Sequence, residues 1–263
     1  MSSTISLLFS GDFAPCRRYE SIVLSKRAKI FGDLQNNIVD ADISFLNLEL
    51  PLTLKGKPIK KTGSNFNAHP DCIKAVKDAG FDIVGLANNH IMDFGSEGLE
   101  QTILACKGSG LNICGAGKNL KEAQQTTIIE SCGLKVAYIA VTEHEFSIAS
   151  EDRAGAAPLD LVDNTLKIES VRNKVDLIFV SIHGGNEYFP FPRPNLKKLS
   201  RFLISRGARY DVLIEGIDIF EDFLVISERY NGLNRIKIKS WDNSINYYID
   251  FNSETFCCYT TRN

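Results

Sequence analysis

Residues 82–95 read D-I-V-G-L-A-N-N-H-I-M-D-F-G and join two kinds of chemistry in one short stretch. The first half, Ile83-Val84-Gly85-Leu86-Ala87, is an apolar run of the length of one buried strand. The second half packs two amides, an imidazole and a carboxylate into six residues, as Asn88, Asn89, His90 and Asp93. Gly95 follows, and a helical pattern runs over 97–107. In an open α/β sheet, polar groups just past the carboxyl end of a strand lie where ligands bind. Asn and Asp also favour turns and helix caps, so this stretch alone reads equally well as a turn into the next helix.

The same grammar recurs on either side. Residues 5–9 predict a first strand, with Ser10-Gly11-Asp12 at its end, where Gly11 permits a sharp turn and Asp12 is either a rim carboxylate or a cap. A helical period, imperfect, covers 21–38. A second strand over 43–46 runs into Asn47-Leu48-Glu49, and Pro51 then stops regular structure. Residues 55–67 form a polar loop whose lysines read as a solvated cluster. His69 precedes Pro70 at the start of a helix over 72–79, where capping is as good a role as ligation. A strand at 112–114 leads into Gly115-Ala116-Gly117, which lacks the spacing of a dinucleotide fingerprint. Residues 126–130 and 135–141 form a β-hairpin. His144, between two glutamates, reads as a salt-bridged surface residue before a metal ligand. A helix spans 159–174, and 176–182 is the clearest buried strand of the chain, delivering His183-Gly184-Gly185-Asn186-Glu187-Tyr188. A stiff proline loop and a helix over 195–206 come next. Short strands at 212–214, 217–220 and 224–226 follow, and the aromatic tail over 234–259 supplies C-terminal antiparallel strands. Nothing repeats and no linker divides the chain, so 1–263 reads as a single α/β domain.

Composition narrows the function classes. The 263 residues carry a formal net charge of −2, which gives no electrostatic case for nucleic acid or an anionic membrane. The seven cysteines are odd in number and form no C-x-x-C pair, so neither a zinc ribbon nor a disulfide framework is expected. No apolar run approaches the roughly 20 residues of a membrane helix. The acidic Asp12 comes early and no basic region precedes an apolar core, so the chain as written reads as cytoplasmic with reduced thiols.

Four strand ends thus carry Asp12, Asn47 with Glu49, Asn88-Asn89-His90 with Asp93, and His183. Parallel strands bring such ends to one rim, and oxygen donors with imidazole suit Mn²⁺, Fe²⁺ or Zn²⁺. Gly11-Asp12, Asn47-Leu48-Glu49, Ala87-Asn88-Asn89-His90 with Asp93 and Gly95, Gly115-Ala116-Gly117 and the His183–Tyr188 segment occur in an order that resembles the bacterial capsule-biosynthesis proteins of the CapA type, associated with poly-gamma-glutamate synthesis. That family is similar in fold to calcineurin-like metallophosphoesterases, which implies a four-layer α/β/β/α sandwich of two sheets between helices. By resemblance, Asp12, Glu49, Asn89 and His183 are metal ligands. His90, with Asp93 beside it, acts at the scissile bond as an acid or charge stabiliser, and Asn47, Asn88 and Glu187 are supporting groups. The cofactor implied is one or two divalent ions (Mn, Mg, Zn or Fe). The partners implied are a phosphoester or polymer substrate and proteins of capsule or polyglutamate synthesis.

The chain departs from that pattern at one point. The family's Gly-His-His-Pro-His segment is missing, because Arg206-Gly207-Ala208-Arg209-Tyr210 runs straight into Asp211-Val212-Leu213-Ile214-Glu215 and no histidine follows His183. Phe13-Ala14 likewise places no histidine two residues after Asp12. Asp211 and Glu215 offer oxygen at the later position, and a site poorer in imidazole favours Mg²⁺ or Mn²⁺. Two functions stand open: a metal-dependent hydrolase of a phosphoester or related polymer bond, and a non-catalytic binding or scaffold subunit of a polymer-synthesis assembly.

Overall fold

The computed structural model describes residues 5–185 and 192–207 in full, together with the backbone of strands at 213–219, 223–230, 233–240 and 246–248. By internal contacts the chain divides into two units, Met1–Gly184 and Gly185–Asn263.

The first unit runs β1 (Leu7–Phe13), α1 (Arg18–Lys26), a 3-10 turn (Arg27–Phe31), α2 (Leu34–Asp40), β2 (Ile43–Leu48), a 3-10 turn (Pro70–Cys72), α3 (Ile73–Ala79), β3 (Ile83–Gly85), α4 (Gly95–Gly108), β4 (Asn112–Cys114), β5 (Ala116–Gly117), α5 (Leu120–Ala123), β6 (Thr127–Ser131), β7 (Leu134–Thr142), β8 (Gly155–Ala156), α6 (Leu161–Val171) and β9 (Leu177–His183). Strands β1-β2-β3-β4 form a wholly parallel sheet in that order, and β6-β7-β9 form a second sheet in which β7 and β9 are parallel. Register sets the site: Asp12 lies opposite Asn47, Asn47 opposite Gly85, and Thr142 opposite His183.

The two sheets meet through aromatic rings. Phe9 of β1 stacks on Phe179 of β9 at 3.8 Å between centroids, and Phe45 of β2 meets Phe179 edge-on at 5.2 Å and Tyr138 of β7 at 6.2 Å. Such pairs add roughly 0.5–1.5 kcal/mol each beyond the area they bury. Outside the first sheet, α3 buries Ile73, Ala75, Val76 and Ala79, and α4 buries Leu99 and Cys106. Outside the second, Val171 of α6 packs with Ala137 and Ile178. The order of layers is therefore helix, sheet, sheet, helix, an α/β/β/α sandwich.

Several expectations need correction. The strand from residue 5 does not turn at Gly11. It continues to Phe13 through an irregularity between Phe9 and Asp12, and Gly11 has no positive φ and open space around it. The helix over 21–38 is broken at Gly32, whose φ of +52° ends the 3-10 turn before α2. The strand expected over 83–87 leaves the ladder after Gly85, with one further bond from Leu86 N to Cys114 O at 2.9 Å. At Gly85 a Cβ would stand 2.5 Å from Phe45 Cζ, so the sheet interface demands a glycine there. The strand ending at His183 is half-buried along its whole length rather than fully buried, because among the described strands β9 pairs on one side only.

In the second unit, α7 (Pro194–Gly207) precedes an antiparallel sheet of β10 (Leu213–Ile219), β11 (Phe223–Tyr230), β12 (Leu233–Ser240) and β13 (Asn246–Tyr248). The two short strands expected at 212–214 and 217–220 are one strand, β10, with a shift of register between Ile214 and Gly216. Strands β12 and β13 fall within the tail expected to be antiparallel, and residues 249–259 lie outside the described residues. Among the described residues, no helix is long and apolar enough to cross a membrane. None of the five described cysteines is in a disulfide, and burial pushes the thiols of Cys72, Cys106 and Cys114 up to about 12.

Candidate metal centre and histidine dyad

Parallel pairing of β1 with β2 brings two donors together, and the packing of the second sheet against the first adds the third. Asp12 projects from the end of β1, Glu49 follows β2 with its backbone N–H bonded to Phe13 O at 3.1 Å, and His183 ends β9. One ligand atom from each of Asp12, Glu49 and His183 lies within 4.8 Å of the others. His183 Nδ1 is 3.5 Å from Asp12 Oδ1, and His183 Nε2 is 3.5 Å from Glu49 Oε1. Asn89 joins them, its Oδ1 standing 3.1 Å from His183 Nε2. Asn47 donates from Nδ2 to Asp12 Oδ1 at 2.5 Å, with His183 Nδ1 at 3.4 Å. Backbone contacts hold the imidazole's base: His183 O accepts from Glu143 N and from Thr142 Oγ1, each at 3.1 Å. A Cβ at Gly184 would stand 2.6 Å from Cγ of the flexible Glu143 side chain.

Electrostatics couple these groups. Burial alone would lower the His183 pKa, but the bond and charge of Asp12, with Glu49 and Glu145 beyond, raise it above the ordinary imidazole value. Burial alone would raise Asp12, and the bonds from His183 and Asn47 instead hold it below the ordinary carboxylate range. When His183 is protonated, these two groups form an ion pair. Two carboxylates, one amide oxygen and one imidazole make a donor set that fits a divalent cation, since donors about 2.1 Å from a common ion stand about 3 to 4 Å apart.

Asn88, Asn89 and His90 divide the labour of the opening stretch. Asn88 is fully buried; its Nδ2 donates to Leu48 O at 2.7 Å and its Oδ1 accepts from His90 N at 3.1 Å, so it fastens the turn to the end of β2. His90 Nδ1 lies 2.7 Å from Asp93 Oδ2, which also accepts from Phe66 N at 2.8 Å. The other oxygen of Asp93 pairs with Lys61 Nζ, which stands 3.2 Å from His90 Nδ1. Asp93 is fully buried and the Lys61 side chain is only 3% exposed.

Lys61 is the functional candidate that sequence reasoning missed, because the lysines of its loop read as solvated. Lys55, Lys57 and Lys60 are indeed exposed, whereas Lys61 turns inward to the fully buried Asp93. No periodicity distinguishes it from its neighbours. His144 is exposed and makes no ion pair among the described residues, so the salt-bridge expectation fails there. His69 caps the Pro70–Cys72 turn, accepting at Nδ1 from Asp71 N at 3.1 Å. The glycines at 115 and 117 serve packing: a Cβ at Gly115 would stand 2.7 Å from Ala87 Cβ, and one at Gly117 2.4 Å from Glu122 Cβ. A cavity of about 920 Å³ beside α4 and β4 contains none of the candidate ligands. Glu187, Asp211 and the side chain of Glu215 lie outside the described residues.

Residues 6–213 match the family model described as bacterial capsule synthesis protein PGA_cap. The chain is 28% identical over 236 residues to the capsule biosynthesis protein CapA of Bacillus anthracis, covering 84% of this chain and 57% of that one. It is 26% identical over 216 residues to the PGA biosynthesis protein CapA of Bacillus subtilis, covering 80% and 56%. It thus spans a little over half the length of these two curated relatives. A solved structure titled as a novel phosphatase from Mycoplasma pneumoniae aligns over 95% of this chain and 94% of its own, at 12% identity and a TM-score of 0.43. With the family model covering most of its length, the chain belongs to the bacterial capsule synthesis family PGA_cap.

Proposed function

We propose that this chain is a metal-dependent hydrolase of a phosphoester or related polymer bond, working in capsule or polyglutamate synthesis. The carrying observation is the convergence of Asp12, Glu49 and His183, with Asn89 on the same imidazole. These four side chains would hold the ion, and Asn47 orients the Asp12 carboxylate through its amide. A divalent cation held there supplies Lewis-acid polarisation of an ester oxygen. His90 supplies the proton chemistry. An Nδ1–H donated to Asp93 Oδ2 would leave Nε2 as the ring nitrogen that accepts or gives a proton. Lys61 pairs with the other oxygen of Asp93 and balances its charge in the buried site. The context of capsule and PGA synthesis comes from the relatives' names, and polyglutamate from the family resemblance.

Hydrolysis of a generic phosphodiester or phosphomonoester by protein loaded with Mn²⁺ tests this. Asp12→Ala and His90→Ala are each expected to lower the rate at least about 100-fold. Unchanged turnover in both variants would overturn the reading. A second reading, a non-catalytic scaffold, is favoured by the absence of any histidine after His183. A stoichiometric partner recovered with protein that takes up no metal would support it.

A further inference from the structure

Arg17 sits on the loop that leaves the carboxyl end of β1, five residues after Asp12. Its backbone has φ +54°, a conformation that residues other than glycine seldom adopt. The chain reaches it through a tight turn, with Cys16 N bonded to Ala14 O at 2.8 Å. Its guanidinium lies 4.9 Å from the centroid of the Phe66 ring, and that ring lies 4.8 Å from the centroid of His90. Phe66 is itself fixed, since its N–H is bonded to the Asp93 carboxylate. Arg17 is therefore positioned against the dyad through one rigid ring.

The neighbouring cations are already engaged. Lys61 is buried against Asp93. Arg18 donates to Tyr19 Oη at 2.9 Å and stacks on the same ring. Arg27 shares the unusual backbone conformation, but its Nη2 is 2.7 Å from Asp78 Oδ2. Arg17 is exposed and, among the described residues, has no carboxylate partner. An exposed contact between a cation and an aromatic ring returns less than such a backbone conformation costs. The arrangement keeps a planar fork of N–H donors available at the rim of a site that carries three carboxylates, Asp12, Glu49 and Asp93.

We propose that Arg17 is the specificity-determining residue of this site, recognising an anionic group of the substrate that presents two oxygens side by side, and holding it at the Phe66–His90 edge. This rests on the hydrolase reading for the word substrate, but anion recognition can be measured without turnover. Phosphate and carboxylate share the chemistry, because a guanidinium takes either in two parallel hydrogen bonds.

The test is a titration of the isotope-labelled full chain followed by NMR at the Arg17 Nε–H and the His90 ring. The probes are inorganic phosphate, a short glutamate oligomer and a neutral glutamine oligomer. Phosphate, the glutamate oligomer or both are expected to shift the two signals. Arg17→Gln is expected to weaken binding tenfold or more, with Arg17→Lys in between. Response to phosphate alone assigns a phosphoester anion, and response to the glutamate oligomer alone assigns a carboxylate polymer. Equal affinity in Arg17→Gln, or equal binding of the neutral oligomer, overturns the proposal. Metal uptake by the same samples separates the two readings. Arg17-dependent binding in protein that takes up no metal removes the hydrolase and leaves Arg17 standing, whereas metal-dependent turnover indifferent to Arg17→Gln does the reverse.

Discussion

Lys61 illustrates how a single side chain sets the cost of a site. Asp93 is fully buried, and its two oxygens are divided between Lys61 on one side and His90 with Phe66 N–H on the other. Removing the ammonium leaves a buried carboxylate with half its compensation gone, which ordinarily costs about 3–5 kcal/mol. Lys61→Met is therefore expected to lose about 3 kcal/mol or more in urea unfolding of metal-free protein. Lys61→Met combined with Asp93→Asn should recover part of that loss, because no charge is then left unpaired. A single variant within about 0.5 kcal/mol of the parent would show that the pair is not coupled. The sequence carried no sign of this role, since a lysine in a polar loop is indistinguishable from its solvated neighbours until the loop is folded over Asp93. The positions of Asp12, Asn47, Asn89, His90 and His183 were legible, because each sits at or near the place where an apolar run stops, and parallel register with sheet packing then brings Asp12, Asn47, Asn89 and His183 together.

At the scale of elements, the interface of the two sheets carries an unsatisfied group. Tyr138 is fully buried between Phe9, Phe45 and Phe179, and its hydroxyl has no hydrogen-bond partner among the described residues. A buried hydroxyl without a partner costs free energy that its ring's packing must offset. Tyr138→Phe is accordingly expected to raise stability by about 1 kcal/mol in chemical denaturation, and a loss of stability would mean that the hydroxyl has a partner. Apart from the two-residue β5 and β8, the strands of the first unit followed from the apolar runs, and the hairpin of β6 and β7 from its alternation. Strand ends were harder. Gly11 looked like a turn but lies inside β1, and Leu86 and Ala87 are buried beyond the end of β3, because burial and pairing are separate demands that one apolar run cannot distinguish.

At the scale of the whole molecule, protons and cations compete for one imidazole. The His183 pKa is raised above 6.5 and the Asp12 pKa is lowered below 3.8. In metal-free protein the His183 contribution to stability is fully present below its unfolded value and fades as pH rises through its folded value. The Asp12 contribution is present above its unfolded value and fades as pH falls through its folded value. The ion pair thus works best between about pH 4 and 6.5. A cation that takes His183 as a ligand must displace that proton, so metal affinity is expected to rise with pH across and somewhat above pH 6.5. Calorimetry in two buffers of different ionisation enthalpy would register the released proton, and affinity independent of pH from 5 to 8 would place His183 outside the ligand set.

Family membership, the sandwich and the gathered strand ends all bear on whether the first unit holds an ion. Elemental analysis of protein purified without chelators and then equilibrated with Mn²⁺ decides it most directly. The expected result is bound metal near one equivalent per chain, lost in both Asp12→Ala and His183→Ala while the fold is retained. Metal-free protein, or metal content indifferent to both substitutions, would contradict the account.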